Sequence, residues 1–215
     1  MRREMPEPWR GFFHALDGAL TGPVSLRCFG GFVVSVCYGM PRATADVDVL
    51  SVVPHTDVQA VLNLAGKGSP LHDQYRLYLD LVTVATYPDS FEDRLMEVFA
   101  GAFQHLQIMA LDPYDLALSK LERNAPHDRE DVFYLADTVP FDLAALDARY
   151  RQEMRPYLGV PDHRIAVSPR LKSDYENGKS YYPFDGRQLV VRPDGGTDQP
   201  DANCLAWHNT HVFLS

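Results

Sequence analysis

The chain has 215 residues, 46% of them apolar, which is enough for one sizeable core with an appendage or for two small domains. With 20 Lys+Arg against 29 Asp+Glu the formal charge is −9, which excludes a molecule that holds nucleic acid by overall charge alone. The imbalance is uneven: residues 1–148 carry a net of −10, residues 149–187 a net of +3, and the last stretch is again acidic.

In chain order, Trp9 to Leu20 has the spacing of a short amphipathic helix, with Trp9, Phe12, Phe13, Leu16 and Leu20 on one side and Gly22-Pro23 as the stop. Val24 to Phe29 reads as a strand that Gly30-Gly31 ends. Phe32 to Cys37 is apolar on every side and fits either a buried helix or a strand. Gly39 to Ala45 is a loop, and Asp46 to Val53 alternates strictly enough to be a strand. Thr56 to Leu64 follows as a helix, and Arg76 to Thr86 is a further strand. Asp112-Pro113, with Asp115 three residues after the cap, predicts a helix start. Tyr114, Ala117, Leu118 and Leu121 give that helix its buried face. Asn124-Ala125-Pro126 ends it, Asp128 caps the next, and Phe141 to Tyr157 forms a third. From Asp185 onward there is a hairpin at most, followed by a tail. The expected architecture is α+β (mixed α/β), a small mixed sheet packed with helices and followed by a helical half. Its divisions fall at 1–105, 106–184 and 185–215.

Cys28, Cys37 and Cys204 form no CxxC and no zinc-ligand spacing, and the first two lie among apolar residues as free thiols. The N-terminus lacks the apolar run of a signal peptide, and no segment is long and apolar enough for a membrane span. A soluble, cytoplasmic chain is expected, with no membrane partner. The eight histidines are dispersed; His208 and His211 have metal-ligand spacing but no further ligand nearby, so an ordinary surface role is the simpler reading. Tyr175, Tyr181 and Tyr182 among Arg170, Lys172 and Lys179 have the composition of a single-strand-contacting face, or of plain loop packing.

The carboxylates carry the chemistry. Side chains at i and i+2 of a strand share a face, so Asp46 and Asp48 point one way and Val47 and Val49 the other. On the later strand Asp80 is a lone carboxylate among apolar residues, where an unpaired buried charge would be costly. If the two strands are neighbours, three anions converge and repel one another. Divalent cations relieve that repulsion, and carboxylate-held metal pairs serve phosphoryl and nucleotidyl transfer.

The order Phe29-Gly30-Gly31, then Ala45-Asp46-Val47-Asp48-Val49, then Leu79-Asp80-Leu81 resembles the DNA polymerase β-type nucleotidyltransferase superfamily. That resemblance implies that Gly30 and Gly31 approach the triphosphate, and that Asp46, Asp48 and Asp80 hold two Mg²⁺, with Mn²⁺ as a substitute. It also implies that Asp80 activates an acceptor hydroxyl. Gly39-x-x-Arg42-x-Thr44-x-Asp46-Val47-Asp48 and the helix pair carrying Lys120, Arg123 and Asp131 are similar to the AbiEii-like nucleotidyltransferases, known chiefly as toxins of toxin–antitoxin systems. This narrower resemblance covers about residues 24–140 and assigns Arg42, Thr44, Lys120 and Asp131 to the nucleotide site. A solvated helix-hairpin surface is the alternative for Lys120 and Asp131. The implied partners are an NTP, an RNA acceptor such as a tRNA 3′ end, and a cognate antitoxin. The alternatives are transfer to a protein or small molecule, and a non-catalytic nucleotide-binding or antitoxin-like module. Val34-Ser35 stand where the tRNA-terminus-maturing enzymes of the superfamily carry Arg-Asp, which argues against that activity.

Overall fold

The computed structural model describes residues 4–123, 125–158, 180–184 and 188–192. Helix α1 (Trp9–Ala19) leads into strand β1 (Val24–Phe29), then α2 (Gly30–Phe32), which continues as a π-helical turn over Val33–Cys37. Strand β2 (Asp46–Val53), helix α3 (Val58–Ala65), helix α4 (Pro70–Tyr75) and strand β3 (Tyr78–Leu81) follow. Strands β4 (Met96–Val98) and β5 (Leu106–Ala110) precede the helices α5 (Pro113–Arg123), α6 (Pro126–Thr138) and α7 (Leu143–Arg149). Strands β6 (Ser180–Phe184) and β7 (Gln188–Arg192) pair antiparallel as a hairpin.

The sheet is five-stranded and mixed, in the order β3-β2-β1-β5-β4. β1 runs antiparallel to β2 and parallel to β5, and β2 runs parallel to β3. The mixed α/β class expected from the sequence is the one observed. The chain divides into two compact units, residues 1–85 with 90–116, and 86–89 with 117–215, so the boundary falls within α5.

In the first unit the core begins with α1. Its buried side holds Trp9, Phe12, Phe13 and Leu16; the three rings pack against one another, and Trp9 and Phe13 also against Phe32 of α2, at centroid distances of 5.0–6.4 Å. Such aromatic contacts contribute burial and a preferred edge or offset geometry. Asp17, on the same helix, is buried and accepts three backbone N–H bonds, from Gln104 at 3.0 Å, His105 at 2.7 Å and Leu106 at 2.8 Å. It thereby pins the entry into β5. Burial alone pushes its carboxyl up, but the three amides outweigh that, and the group lies below the ordinary carboxylate range. A folded-state value below the unfolded one gives stability that is present at neutral pH and lost as pH falls through the acidic range. Asp17→Ala should therefore cost about 3 kcal/mol at pH 7 by leaving buried amides unsatisfied. Urea unfolding at pH 7 and pH 3 should show a smaller acid destabilisation in the variant than in the wild type.

The register of β1 on β2 slips between Arg27 and Cys28, so that Leu50 is the extra residue of a β-bulge. The slip matters for burial. Val47 and Val49 are buried before it and Val52 after it, so the apolar face is regained one residue out of phase. The alternation of β2 is thus strict only up to Val49. Pairing of β2 with β3 ends at Val49↔Leu81, just before the bulge, with Val82 N–H donating to Val49 O at 3.0 Å. A bulge bends its strand, which accounts for β3 stopping at Leu81 rather than running to Thr86. Nor does β3 begin at Arg76: that residue has φ 59° and closes α4 in the left-handed region.

Three elements were not foreseen, and two of them, α4 and β5, have a sequence signal. Ser69 caps α4 by accepting His72 N–H at 3.2 Å, with Pro70 at the first helical position. β5 alternates in burial over Leu106–Ala110 and β4 pairs with it. The start of α5 is as expected: Asp112 accepts Asp115 N–H at 2.8 Å. Asp115 itself turns to Arg94, which donates to it from Nε at 2.9 Å and Nη2 at 3.2 Å.

In the second unit Ala125 occupies the cap of α6, and Asp128 reaches back to accept its N–H at 3.2 Å. Asp128 therefore helps to cap α6, but from inside the first turn. Phe141 to Tyr157 is not one α-helix. Asp142 caps α7, which gives way to a π-helical turn over Tyr150–Met154 and a 3₁₀ turn over Arg155–Tyr157. Pro156 has no N–H to donate and obstructs the preceding turn, so a regular ladder cannot run through it. Among the described residues no helix is long and apolar enough to cross a membrane. Cys204, His208, His211, Tyr175, Arg170, Lys172 and Lys179 lie outside the described residues. Tyr181 and Tyr182 fall on β6, where the backbone alone is described.

Candidate active site

Three carboxylates converge because of strand pairing. Asp46 and Asp48 leave β2 on one face, and the parallel register places Tyr78 of β3 opposite Asp46 and Asp80 opposite Asp48. One ligand oxygen from each of Asp46, Asp48 and Asp80 lies within 4.8 Å of the others. Asp46 and Asp48 are half-buried. Asp80 is exposed on an edge strand, so the cost of burial expected for it does not arise. The buried neighbours Val47, Val49 and Leu79 face the other way into the core.

Gly30 explains how the turn after β1 reaches this cluster. Its φ is +70°, and a Cβ there would stand 1.7 Å from Asp48 Oδ2 and 2.6 Å from its Cγ. Only glycine leaves room for that carboxylate and takes that backbone conformation without strain. Gly31 is different: its Cβ would meet Thr44 Oγ1 at 3.4 Å and Arg42 Nη2 at 3.5 Å, which is ordinary contact. Thr44 in turn donates its hydroxyl to Asp46 Oδ1 at 2.8 Å and fixes that carboxylate. Gly30, Gly31, Arg42, Thr44, Asp46, Asp48 and Asp80 are therefore gathered within the first unit. The π-helical turn immediately after the glycines is of a kind often found at functional sites.

The cluster is electronegative enough to be felt by its neighbours. Burial first, then Asp46, Asp80 and Asp48, hold the Tyr78 phenol above its ordinary range. Cys28 is pushed well up, by burial first, then by Cys37 and Asp48, and burial pushes Cys37 up to about 12. Both are free, buried thiols that stay protonated at neutral pH and are poor nucleophiles. The donor set, three carboxylates and no thiolate or imidazole, suits a hard, oxygen-preferring divalent cation.

Lys120 and Asp131 lie in the second unit and are joined there. Lys120 Nζ is 2.5 Å from Asp131 Oδ2 and 3.6 Å from Asp128 Oδ1, and all three residues are buried. Arg123 adds Nε at 2.7 Å and Nη2 at 2.5 Å on Asp128. Burial raises the Asp128 carboxyl, and Arg123 with Lys120 more than reverses it, so the group is held low. The sequence assigned Lys120 and Asp131 to the nucleotide site by resemblance and gave Asp128 a capping role alone; their mutual pairing was not anticipated. The separation of eight residues from Lys120 to Asp128 across a helix break hides their contact.

The sequence reading gave no role to Tyr78, Lys67 or His72. The ring of Tyr78 carries Lys67 Nζ at 5.5 Å from its centroid and meets the His72 ring edge-on at 5.2 Å. The signal was present: Tyr78 is two residues before Asp80 and so shares its face.

Residues 21–182, about three quarters of the chain, match the family described as nucleotidyltransferase of unknown function (DUF6036). No curated protein and no solved structure matches the chain.

Proposed function

The chain belongs to the nucleotidyltransferase family of unknown function DUF6036, and from that premise we propose that it transfers a nucleoside monophosphate from an NTP to an acceptor hydroxyl. The observation that carries this reading is the convergence of Asp46, Asp48 and Asp80 within 4.8 Å on one sheet face, beside a turn that has φ +70° at Gly30. Divalent cations held by these three carboxylates, Mg²⁺ with Mn²⁺ as its substitute, would supply charge neutralisation for the triphosphate and the developing transition state. The acceptor oxygen attacks the α-phosphorus, the bond from that phosphorus to the bridging oxygen breaks, and pyrophosphate leaves. Asp80, exposed on the edge strand, accepts the proton of the attacking hydroxyl. Gly30-Gly31 bring backbone N–H groups toward the phosphates, and Thr44 keeps Asp46 oriented. Arg42, beside Gly31, offers a cation to the same phosphates. The assignment of Lys120 and Asp131 to nucleotide binding rests on the AbiEii-like resemblance alone; within its own unit Lys120 is buried and paired with Asp131 and Asp128.

The acceptor we favour is the 3′ end of an RNA, a tRNA being the leading example, in a toxin paired with an antitoxin. Support comes from the likeness of Gly39–Asp48 and of the Lys120–Asp131 helix pair to AbiEii-like toxins, and from the net +3 of residues 149–187. The test is incubation with Mg²⁺, each α-labelled NTP in turn and total RNA, beside an Asp46→Ala/Asp48→Ala control. Label in RNA with wild type alone supports the proposal. Label in protein, or in an added aminoglycoside, moves the acceptor to that class. NTP binding with no incorporation into any acceptor would sink the enzyme reading.

A further inference from the structure

Tyr78, Lys67 and His72 have no part in the chemistry derived above, yet they adjoin it. Tyr78 lies on the edge strand β3 opposite Asp46, and its side chain leaves the sheet on the face of the carboxylates. Lys67 comes from the connection between α3 and α4, which is fixed by several contacts. Gly66 bridges to Leu79, and Gly68 adopts φ +82°. Gly68 also donates its N–H to His72 Nδ1 at 3.0 Å, and Ser69 caps the helix that carries His72. His72 then meets the Tyr78 ring edge-on, and Lys67 stands over that ring at 5.5 Å. Lys67 is an exposed residue. Among the described residues it makes no ion pair with a carboxylate, although three carboxylates occupy β2 and β3.

Sheet order gives the carboxylate face two flanks. β2 has β1 on one side and β3 on the other. The glycine turn follows β1, so a triphosphate drawn to Gly30-Gly31 lies toward that flank and leaves the β3 flank to the acceptor. There the acceptor meets the Tyr78 ring, two residues before Asp80 on β3, with the Lys67 ammonium over it. An acceptor with an anionic group next to its attacking hydroxyl is complementary to that arrangement; a polycationic acceptor meets Lys67 as a like charge. We propose that Lys67 and Tyr78 form the acceptor subsite, Lys67 binding the phosphate nearest the attacking hydroxyl and Tyr78 packing against the adjoining sugar or base. This rests on the nucleotidyl-transfer reading for the name acceptor, while the phosphate contact itself can be measured without turnover.

A fluorescein-labelled single-stranded oligoribonucleotide, titrated by anisotropy against the full chain, supplies the measurement. Lys67→Glu should weaken binding about tenfold, and Lys67→Arg should restore it, because a charge-assisted contact is being reversed and then replaced. Arg10→Glu, an equal charge change at an exposed site of α1, should have less than about a twofold effect, since a charge away from the phosphate track is screened. Tyr78→Ala should weaken binding about fivefold and Tyr78→Phe should not, as expected where the ring face is what the ligand uses. In turnover with the same oligonucleotide, Lys67→Glu should raise the KM for the acceptor and leave the KM for NTP in place. Equal losses for Lys67→Glu and Arg10→Glu, or no binding by wild type, overturn the subsite. Failure of wild type to incorporate label into any acceptor overturns the transfer reading instead, and the two results are read in separate assays.

Discussion

Asp48→Asn is expected to lower nucleotidyl transfer by about 10³-fold or more while leaving the chain folded and, without divalent cation, no less stable than wild type. The size follows from the charge stabilisation that a carboxylate-held cation supplies: several kcal/mol of transition-state free energy, at about 1.4 kcal/mol for each factor of ten. The sign of the stability effect follows from crowding. One oxygen each of Asp46, Asp48 and Asp80 lies within 4.8 Å of the others, and removing one of three mutually repelling charges relieves the folded state. Addition of Mg²⁺ or Mn²⁺ should reverse the order. The wild type gains stability by mass action, about 2.7 kcal/mol at a metal concentration a hundredfold above Kd, whereas the variant gains little. Melting curves with and without the cation should therefore cross. A divalent-dependent rise in Tm that is equal in both proteins would mean that the cluster is an acidic surface and no metal site.

How much of this was legible in the sequence depends on which interactions are local. β1 and β2 were readable to the residue, because alternation and flanking glycines are properties of a few consecutive positions. The start of α5 was equally plain, since Asp112 and Pro113 act on the first turn alone. β3 was overextended because its end is set by another strand: the bulge at Leu50 bends β2 away, and nothing within Arg76–Thr86 announces it. The pairing of Asp48 with Asp80 is the converse case. It is a contact across 32 positions, but each strand's own periodicity says which face its aspartate takes, so neighbouring strands sufficed to predict the convergence. The aromatic–cation flank escaped notice because Lys67 reaches Tyr78 through the tertiary path of α4, which sequence spacing does not encode. The buried Lys120–Asp131 pair shows a further limit. Both a solvated hairpin surface and a site-facing pair fitted the spacing, whereas burial with mutual neutralisation is a property of the packed helices.

The two glycines that looked alike in sequence should behave very differently. Gly30→Ala is expected to reduce transfer about 10²-fold to 10³-fold, whereas Gly31→Ala should stay within about tenfold of wild type. At Gly30 the added carbon has two separate costs. Its φ of +70° lies where an L-residue loses about 1–2 kcal/mol, and a Cβ 1.7 Å from Asp48 Oδ2 cannot coexist with that carboxylate. The strain can be absorbed by a chain of this size, but the displaced carboxylate cannot keep its place beside Asp46 and Asp80, and the loss approaches that of Asp48→Asn. At Gly31 the new carbon meets the ends of the Thr44 and Arg42 side chains at 3.4 Å and 3.5 Å, distances ordinary for van der Waals contact. What Gly31→Ala removes is close backbone approach to phosphate, which should appear as a higher KM for NTP with the divalent-dependent Tm rise intact. Gly30→Ala should lose that rise along with turnover. If Gly30→Ala kept the divalent response and changed the KM for NTP alone, the role of Gly30 would be phosphate approach, and the space it leaves for Asp48 would be incidental to catalysis.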